Sequence, residues 1–184
     1  MVQRKGGNIV KRYAVLKGIG TIVFGSVLFC NSSFAYELEG YKMPATSTSY
    51  KWGSNLDSGS SVIKTGFIDA MTNWENKTVW NDFFYNSNSL NTLNSWYEVS
   101  SSYYGRNTSY GVSDGVADYF KSEVNSGNSN ITKINVAKST ATHELGHAMG
   151  IDHNDINSIM NSARNREVLY MPQTDDINGI AAIY

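Results

Sequence analysis

Cysteine is nearly absent from this chain: Cys30 is the only one among 184 residues. Everything that follows it must therefore fold without a disulfide, and stability has to come from a buried core, helped where the residues allow by a metal ion. Proline is scarce too, with two residues in all, so no proline-rich linker divides the chain. There is no internal repeat and no long run of like charge. This length suits one domain behind its leading segment. Long apolar runs are also missing. Gly18 to Cys30 is uncharged and mostly apolar, but it falls short of the about 20 apolar residues that a membrane-crossing helix needs.

The same stretch makes sense as part of an export signal. Arg4, Lys5, Lys11, Arg12 and Lys17 precede it, and Ser33-Phe34-Ala35 follows with small residues at the two positions a signal peptidase inspects. We expect residues 1–35 to be a signal peptide cleaved after Ala35, and residues 36–184 to be the mature catalytic domain. Bulky Phe29 argues against a lipid anchor on Cys30. Export also changes the charge. Past Ala35 stand ten basic and sixteen acidic residues, a net charge of −6. That balance argues against nucleic acid and against an anionic membrane as partner once the signal is gone. A secreted, extracellular protein without cysteine is unlike the disulfide-rich domains animals secrete and points to a bacterial exporter.

The order of elements reads as α+β. Tyr50-Lys51-Trp52 opens a first strand. Asp57 to Ser61 is a Gly/Ser loop able to cap a helix, and Ile63, Phe67, Met71 and Trp74 then recur at helical spacing as a buried stripe. Val79–Tyr85, Trp96–Tyr104 and Ile131–Ala137 are rich in aromatic or β-branched residues and are expected to be strands, separated by Gly, Asn and Ser clusters. Tyr103, Tyr104, Tyr110 and Tyr119 could suggest a sugar-binding surface, but ordinary sheet packing accounts for strand tyrosines. A helix follows Ala137. A last one runs from Thr174 to Tyr184, opened by the cap and acidic turn Thr174-Asp175-Asp176, with Ile177, Ile180 and Tyr184 on its buried face.

Histidine is the scarce residue that carries the most information. There are three, and all fall within eleven positions: His143, His147 and His153. On a helix, residues four apart differ by about 40° and one turn of rise, so His143 and His147 can reach one ion. Glu144 stands one step round, placed to touch a water at that ion and poorly placed as a further ligand. Were the helix to continue, His153 would lie about 9 Å along the axis from His147. The chain must turn back instead, and Gly150 stands where a left-handed helix cap is easiest for glycine.

His143-Glu144-Leu145-Gly146-His147-Ala148-Met149-Gly150-Ile151-Asp152-His153 resembles the extended zinc motif of the metzincins. Ser158-Ile159-Met160 resembles their Met-turn, and Met171-Pro172 through Tyr184 is similar to the closing helix of the matrixins. The resemblance implies a metzincin-like twisted mixed sheet with two long helices, a Met-turn and a C-terminal helix, and an active-site cleft between subdomains. It implies a zinc endopeptidase acting on protein or peptide, with Met160 supporting the ligands from below. We expect a monomer, and one zinc and no more, because all three histidines are committed to the catalytic ion and no cysteine remains past Ala35. Two features depart from the family. No cysteine remains for a latency switch, and Met160 is followed by Asn161-Ser162-Ala163 in place of the Pro-x-Tyr segment that walls the matrixin specificity pocket.

Three neutral histidines would leave zinc its full charge and an open position, with Glu144 as general base and then general acid. Two alternatives stay open on sequence: a secreted binding protein or toxin subunit in which zinc only holds the fold, and a hydrolase of a non-peptide amide. Asp114, Asp118 and Glu123 form a loose acidic group that could hold calcium, although a solvated acidic face is the ordinary reading.

Overall fold

The computed structural model describes residues 35–56 and 61–184. The expected signal lies outside them except for Ala35, as do residues 57–60 of the capping loop. Ser61 performs the capping: its backbone is extended and its hydroxyl accepts from the Lys64 N–H at 3.1 Å. Helix α1, Val62–Lys77, follows, and Ile63, Phe67, Met71 and Trp74 are all buried as the spacing predicts. This face packs on the second long helix, α2, Ile134–Met149. At the crossing Gly66 lies so close that a β-carbon there would come within 2.9 Å of the Ala137 carbonyl carbon. Further along, the Trp74 indole N–H donates to the Thr142 carbonyl at 2.9 Å. Trp74 is wholly buried, so its truncation to alanine would cost about 3–5 kcal/mol.

A five-stranded sheet completes the core. Its strands are β2 (Ser47–Trp52), β3 (Asp82–Tyr85), β4 (Thr92–Trp96), β5 (Gly105–Tyr110) and β6 (Tyr119–Asn125), in spatial order β3-β2-β4-β6-β5. All neighbours are parallel except β5, which runs antiparallel to β6 at the sheet's edge. Phe120, Val124 and Leu93 are buried with Leu145 and Ala141 of α2 in one core cluster.

The strand expectations need correction, since they include neither β5 nor β6 and only the last residue of β4. Ile131–Ala137 is not a strand: Ser129–Thr132 is a short 3₁₀ turn capped by Asn128, and α2 starts at Ile134. Ile131, Val136 and Ala137 are buried there as helical neighbours, so packing overrides their β propensity. Trp96–Tyr104 contributes only its first residue to a strand. Asn125 holds the rest as a loop, its side-chain amide donating to the Glu98 and Tyr103 carbonyls at 2.9 and 3.1 Å while its oxygen accepts from the Glu98 N–H at 3.1 Å. Strand β6 was missed because Ser122, Glu123 and Asn125 break the apolar pattern, yet all three are buried. Glu123 is paired with Arg106 at 2.7 Å and Lys121 at 2.9 Å. Tyr110 and Tyr119 stack across β5 and β6 at 4.7 Å, as sheet packing predicts.

The C-terminal segment closes the fold below α2. Helix α3, Thr174–Ile183, matches the expected last helix, but its cap is Gln173, not Thr174. The Gln173 side chain accepts from the Asp176 N–H while the Asp176 carboxylate accepts from the Gln173 N–H at 2.8 Å. Ile180 is buried, Ile177 only partly so, and Tyr184 packs on the core edge, donating to the Met149 carbonyl at 2.8 Å. Next to α3, β1 (Glu37–Leu38) pairs antiparallel with β7 (Ile151–Asp152), and the Ala35 N–H donates to Asp175 Oδ1 of α3 at 2.9 Å. Among the described residues no helix is long and apolar enough to cross a membrane.

Candidate metal centre

Helix α2 carries His143, Glu144 and His147 on its last two turns, and all three are buried. It ends at Gly150, whose φ of +105° is the left-handed cap predicted from sequence, with its N–H donating to the Gly146 and His147 carbonyls. A side chain at this position would also collide with the Tyr41 carbonyl, 2.2 Å from an ideal β-carbon. The chain then reverses through β7 and brings His153 back to the helix. The Nε2 atoms of His143, His147 and His153 form a triangle with edges of 3.0, 3.1 and 3.2 Å.

The outer nitrogens show what that triangle is for. His143 Nδ1 lies 2.8 Å from the Ile159 carbonyl, and His147 Nδ1 lies 2.8 Å from Glu39 Oε1 and 3.1 Å from the Ile151 carbonyl. These oxygens can only accept, so each Nδ1 carries the proton and each Nε2 presents a lone pair. The Arg164 guanidinium also approaches His143 Nδ1, at 3.1 Å. As a donor it cannot share a protonated Nδ1, and the nearer carbonyl decides the tautomer. Lone pairs aimed at a common point need a cation between them. Tetrahedral ligands at 2.0–2.1 Å from zinc would stand about 3.3 Å apart, close to the edges observed. The donor set therefore fits a zinc ion.

Electrostatics around the triangle are divided. Burial holds His143 well below its ordinary range, with Arg164 and His147 adding to the effect. Burial and the His147 charge lower His153 as well. Burial pulls His147 down too, but the hydrogen bond to Glu39 and the charge of Glu144 outweigh it and raise it. The same negative neighbours favour a dication. Burial raises the Glu144 carboxyl to about 7, opposed by the charges of His147, Arg164 and Arg166.

Met160 packs against α2 at Gly146, between the two helical histidines. Its sulfur sits where Gly146 leaves room: a β-carbon on Gly146 would meet Met160 Sδ at 2.5 Å. The turn is pinned from α3, because the buried Asp176 carboxylate accepts from the Ile159 and Met160 N–H groups at 2.8 and 3.2 Å. Sequence alone suggested Asp176 as a dipole partner of its helix; its hold on the turn is a second role. Glu39, Arg164 and Tyr41 were not found in sequence. Tyr41 donates to the His147 carbonyl at 2.9 Å. The acidic group Asp114, Asp118 and Glu123 is not gathered, since Glu123 is engaged by Arg106 and Lys121. Among the described residues, the groups close enough to share an ion are His143, His147 and His153, and Glu39, His147 and Asp152.

A cleft of ≈ 980 Å³ opens over the centre, lined by His143, Glu144, His147 and His153 on one side and by β5 and the 100–104 loop on the other. An α+β domain with three convergent imidazoles and a buried carboxylate at such a cleft is a metal-site protein of metzincin-like fold. The family model for matrixin, a peptidase family, matches residues 48–184. The chain belongs to the matrixin family, which at the family level comprises zinc metalloendopeptidases. A comparison with curated proteins returns no match.

Proposed function

We propose that the protein is a secreted zinc endopeptidase in which His143, His147 and His153 hold the metal and Glu144 is the general base. The observation that carries this reading is the convergence of three Nε2 atoms within 3.2 Å of one another beside a buried carboxylate that faces the same cleft. Bound zinc would supply Lewis acidity there, polarising a peptide carbonyl and bringing the pKa of water toward about 7.

The remaining work falls to the chain's own residues. Glu144, 5% exposed, takes a proton from the attacking water and delivers it to the departing amine, a role its upward-shifted carboxyl suits at neutral pH. Ile159 and Glu39 hold the imidazoles of His143 and His147 in the tautomer that leaves Nε2 free. Among the described residues β5 pairs with β6 alone, and its residues Gly105, Arg106 and Asn107 line the cleft. Its free edge offers backbone groups to an extended peptide. Gly105 packs so tightly on Glu144 that a β-carbon would stand 2.4 Å from Oε1, which brings that edge directly to the reacting group.

The test is Glu144→Gln, which keeps the shape of the side chain and removes its capacity as a base. Hydrolysis of casein should fall by about 10²-fold or more, with zinc content and folding retained. Near-normal hydrolysis by the variant would sink the mechanism. Chelation should abolish the activity of the parent protein, and zinc should restore it.

A further inference from the structure

Three arginines line the cleft, and they differ in how their charge is met. Arg106 is paired with Glu123 at 2.7 Å. Arg164 is only 7% exposed, yet its partners are all neutral: Ser139 Oγ at 2.9 Å, the Ser139 carbonyl at 2.7 Å, the Asn161 carbonyl at 3.1 Å and His143 Nδ1 at 3.1 Å. Arg166 stands with its guanidinium carbon 4.1 Å over the Tyr104 ring and gives one hydrogen bond, from Nη2 to the Ser162 carbonyl at 3.0 Å. Its Nε is buried and has no hydrogen-bond partner. Among the described residues neither Arg164 nor Arg166 makes an ion pair with a carboxylate.

A buried guanidinium with no carboxylate in direct contact is costly, and so is an orphaned buried N–H. The two arginines share the cleft wall with Glu144 and His143, and both of their charges act on Glu144. They are therefore within electrostatic reach of the reacting carboxylate. A planar fork with unused donors is the group best matched to a carboxylate, which it can take bidentately. The chain carries an excess of acidic residues past Ala35, so a paired positive charge confined to this wall is not a general property of its surface.

We infer that Arg164 and Arg166 form a receptor for a substrate carboxylate, so that cleavage falls next to an acidic group. This rests on the endopeptidase reading of the same cleft. The carboxylate can come from an aspartate or glutamate flanking the scissile bond, or from the free C-terminus of a peptide cut close to its end. The packing of Arg166 on Tyr104 fixes the guanidinium plane; its Nε is sealed from solvent, so the ligand is met by the terminal nitrogens.

The experiment uses the zinc-loaded protein and quenched fluorescent peptides that differ at one position on either side of the cut, Glu against Gln and Asp against Asn. Each peptide is made both as the free acid and as the C-terminal amide. A charged hydrogen bond of ordinary strength predicts kcat/KM about 10-fold or more higher for the acidic member of a pair. That ratio should collapse toward one in Arg166→Gln, and Arg166→Lys should restore it only in part because the fork is lost. A preference for Glu or Asp in amidated peptides places the ligand in the chain; a preference for the free acid over the amide places it at the C-terminus. Equal rates for acidic and neutral members in both forms, with the peptides readily cut, would overturn the inference and leave the protease reading standing. A ratio that survives Arg166→Gln and Arg164→Gln would also overturn it. No hydrolysis of any peptide or of casein would overturn both readings.

Discussion

Gly146→Ala tests whether the metal centre and the Met160 turn form one packed unit. In an exposed helix interior this change would stabilise by about 1 kcal/mol, because alanine is the better helix former. Here the added carbon meets Met160 Sδ at 2.5 Å, Met160 Cε at 3.3 Å and Ile151 Cδ1 at 3.4 Å. Met160 is 1% exposed and cannot move outward. Its neighbour Ile159 is held at its N–H by Asp176 and at its carbonyl by His143. Overpacking of a well-filled site costs about 1–3 kcal/mol. A clash this short belongs at the upper end, so after the helix gain the net loss is about 2 kcal/mol. For a domain of this size that lowers Tm by about 4–8 °C, measured by calorimetry at fixed protein and zinc concentrations. A double-mutant cycle with Met160→Ala isolates the contact. That variant alone leaves a cavity and should cost about 2–5 kcal/mol, whereas the pair should cost less than the sum by more than about 0.5 kcal/mol. A Gly146→Ala protein as stable as the parent, or strict additivity in the cycle, would refute the reasoning.

Other consequences are simpler to state. Glu39→Gln removes the carboxylate that holds His147 Nδ1 at 2.8 Å, and zinc affinity measured against a competing chelator should fall about 10-fold or more; unchanged affinity would mean the contact positions nothing. Metal analysis after dialysis should find close to one zinc per chain, and His153→Ala should bring it close to none; a ratio near two would require ligands outside His143, His147 and His153. Added calcium should leave Tm unmoved, because Glu123 is already engaged by Arg106 and Lys121. Protein recovered from culture medium should begin at Tyr36, as N-terminal sequencing would show, and a start beyond about residue 45 would indicate a processed pro-segment, since signal cleavage falls just after the small-residue site.

What could be read from sequence was what depends on spacing within one element. The stripe Ile63, Phe67, Met71 and Trp74 repeats with the helix and is buried as a helix face. His143 and His147 are one turn apart, and Gly150 marks the reversal that His153 requires. The strands were harder because their burial is partly polar. β6 carries Glu123 and Asn125 into the interior, where Arg106 meets the first and the Glu98 and Tyr103 carbonyls meet the second, all far along the chain. Without those partners the segment looks like a loop. Ile131–Ala137 erred the other way: β-branched residues promised a strand, and packing against α1 and the sheet made them the entrance to a helix.

The charges around the centre were illegible for a related reason. Glu39 stands far from His147 in sequence, and no local motif announces it. It arrives through a two-residue pairing, Glu37 with Asp152 and Leu38 with Ile151, extended by the Glu39 N–H donating to the Gly150 carbonyl at 2.9 Å. Side chains along an extended segment alternate in direction, so a slip of one residue in this register would turn Glu39 away from the imidazole. The ribbon is short, but it is anchored on the one glycine whose backbone allows α2 to end and the chain to turn back toward His153. Gly150 therefore sets two things at once: where the third imidazole falls, and which carboxylate stands behind the second.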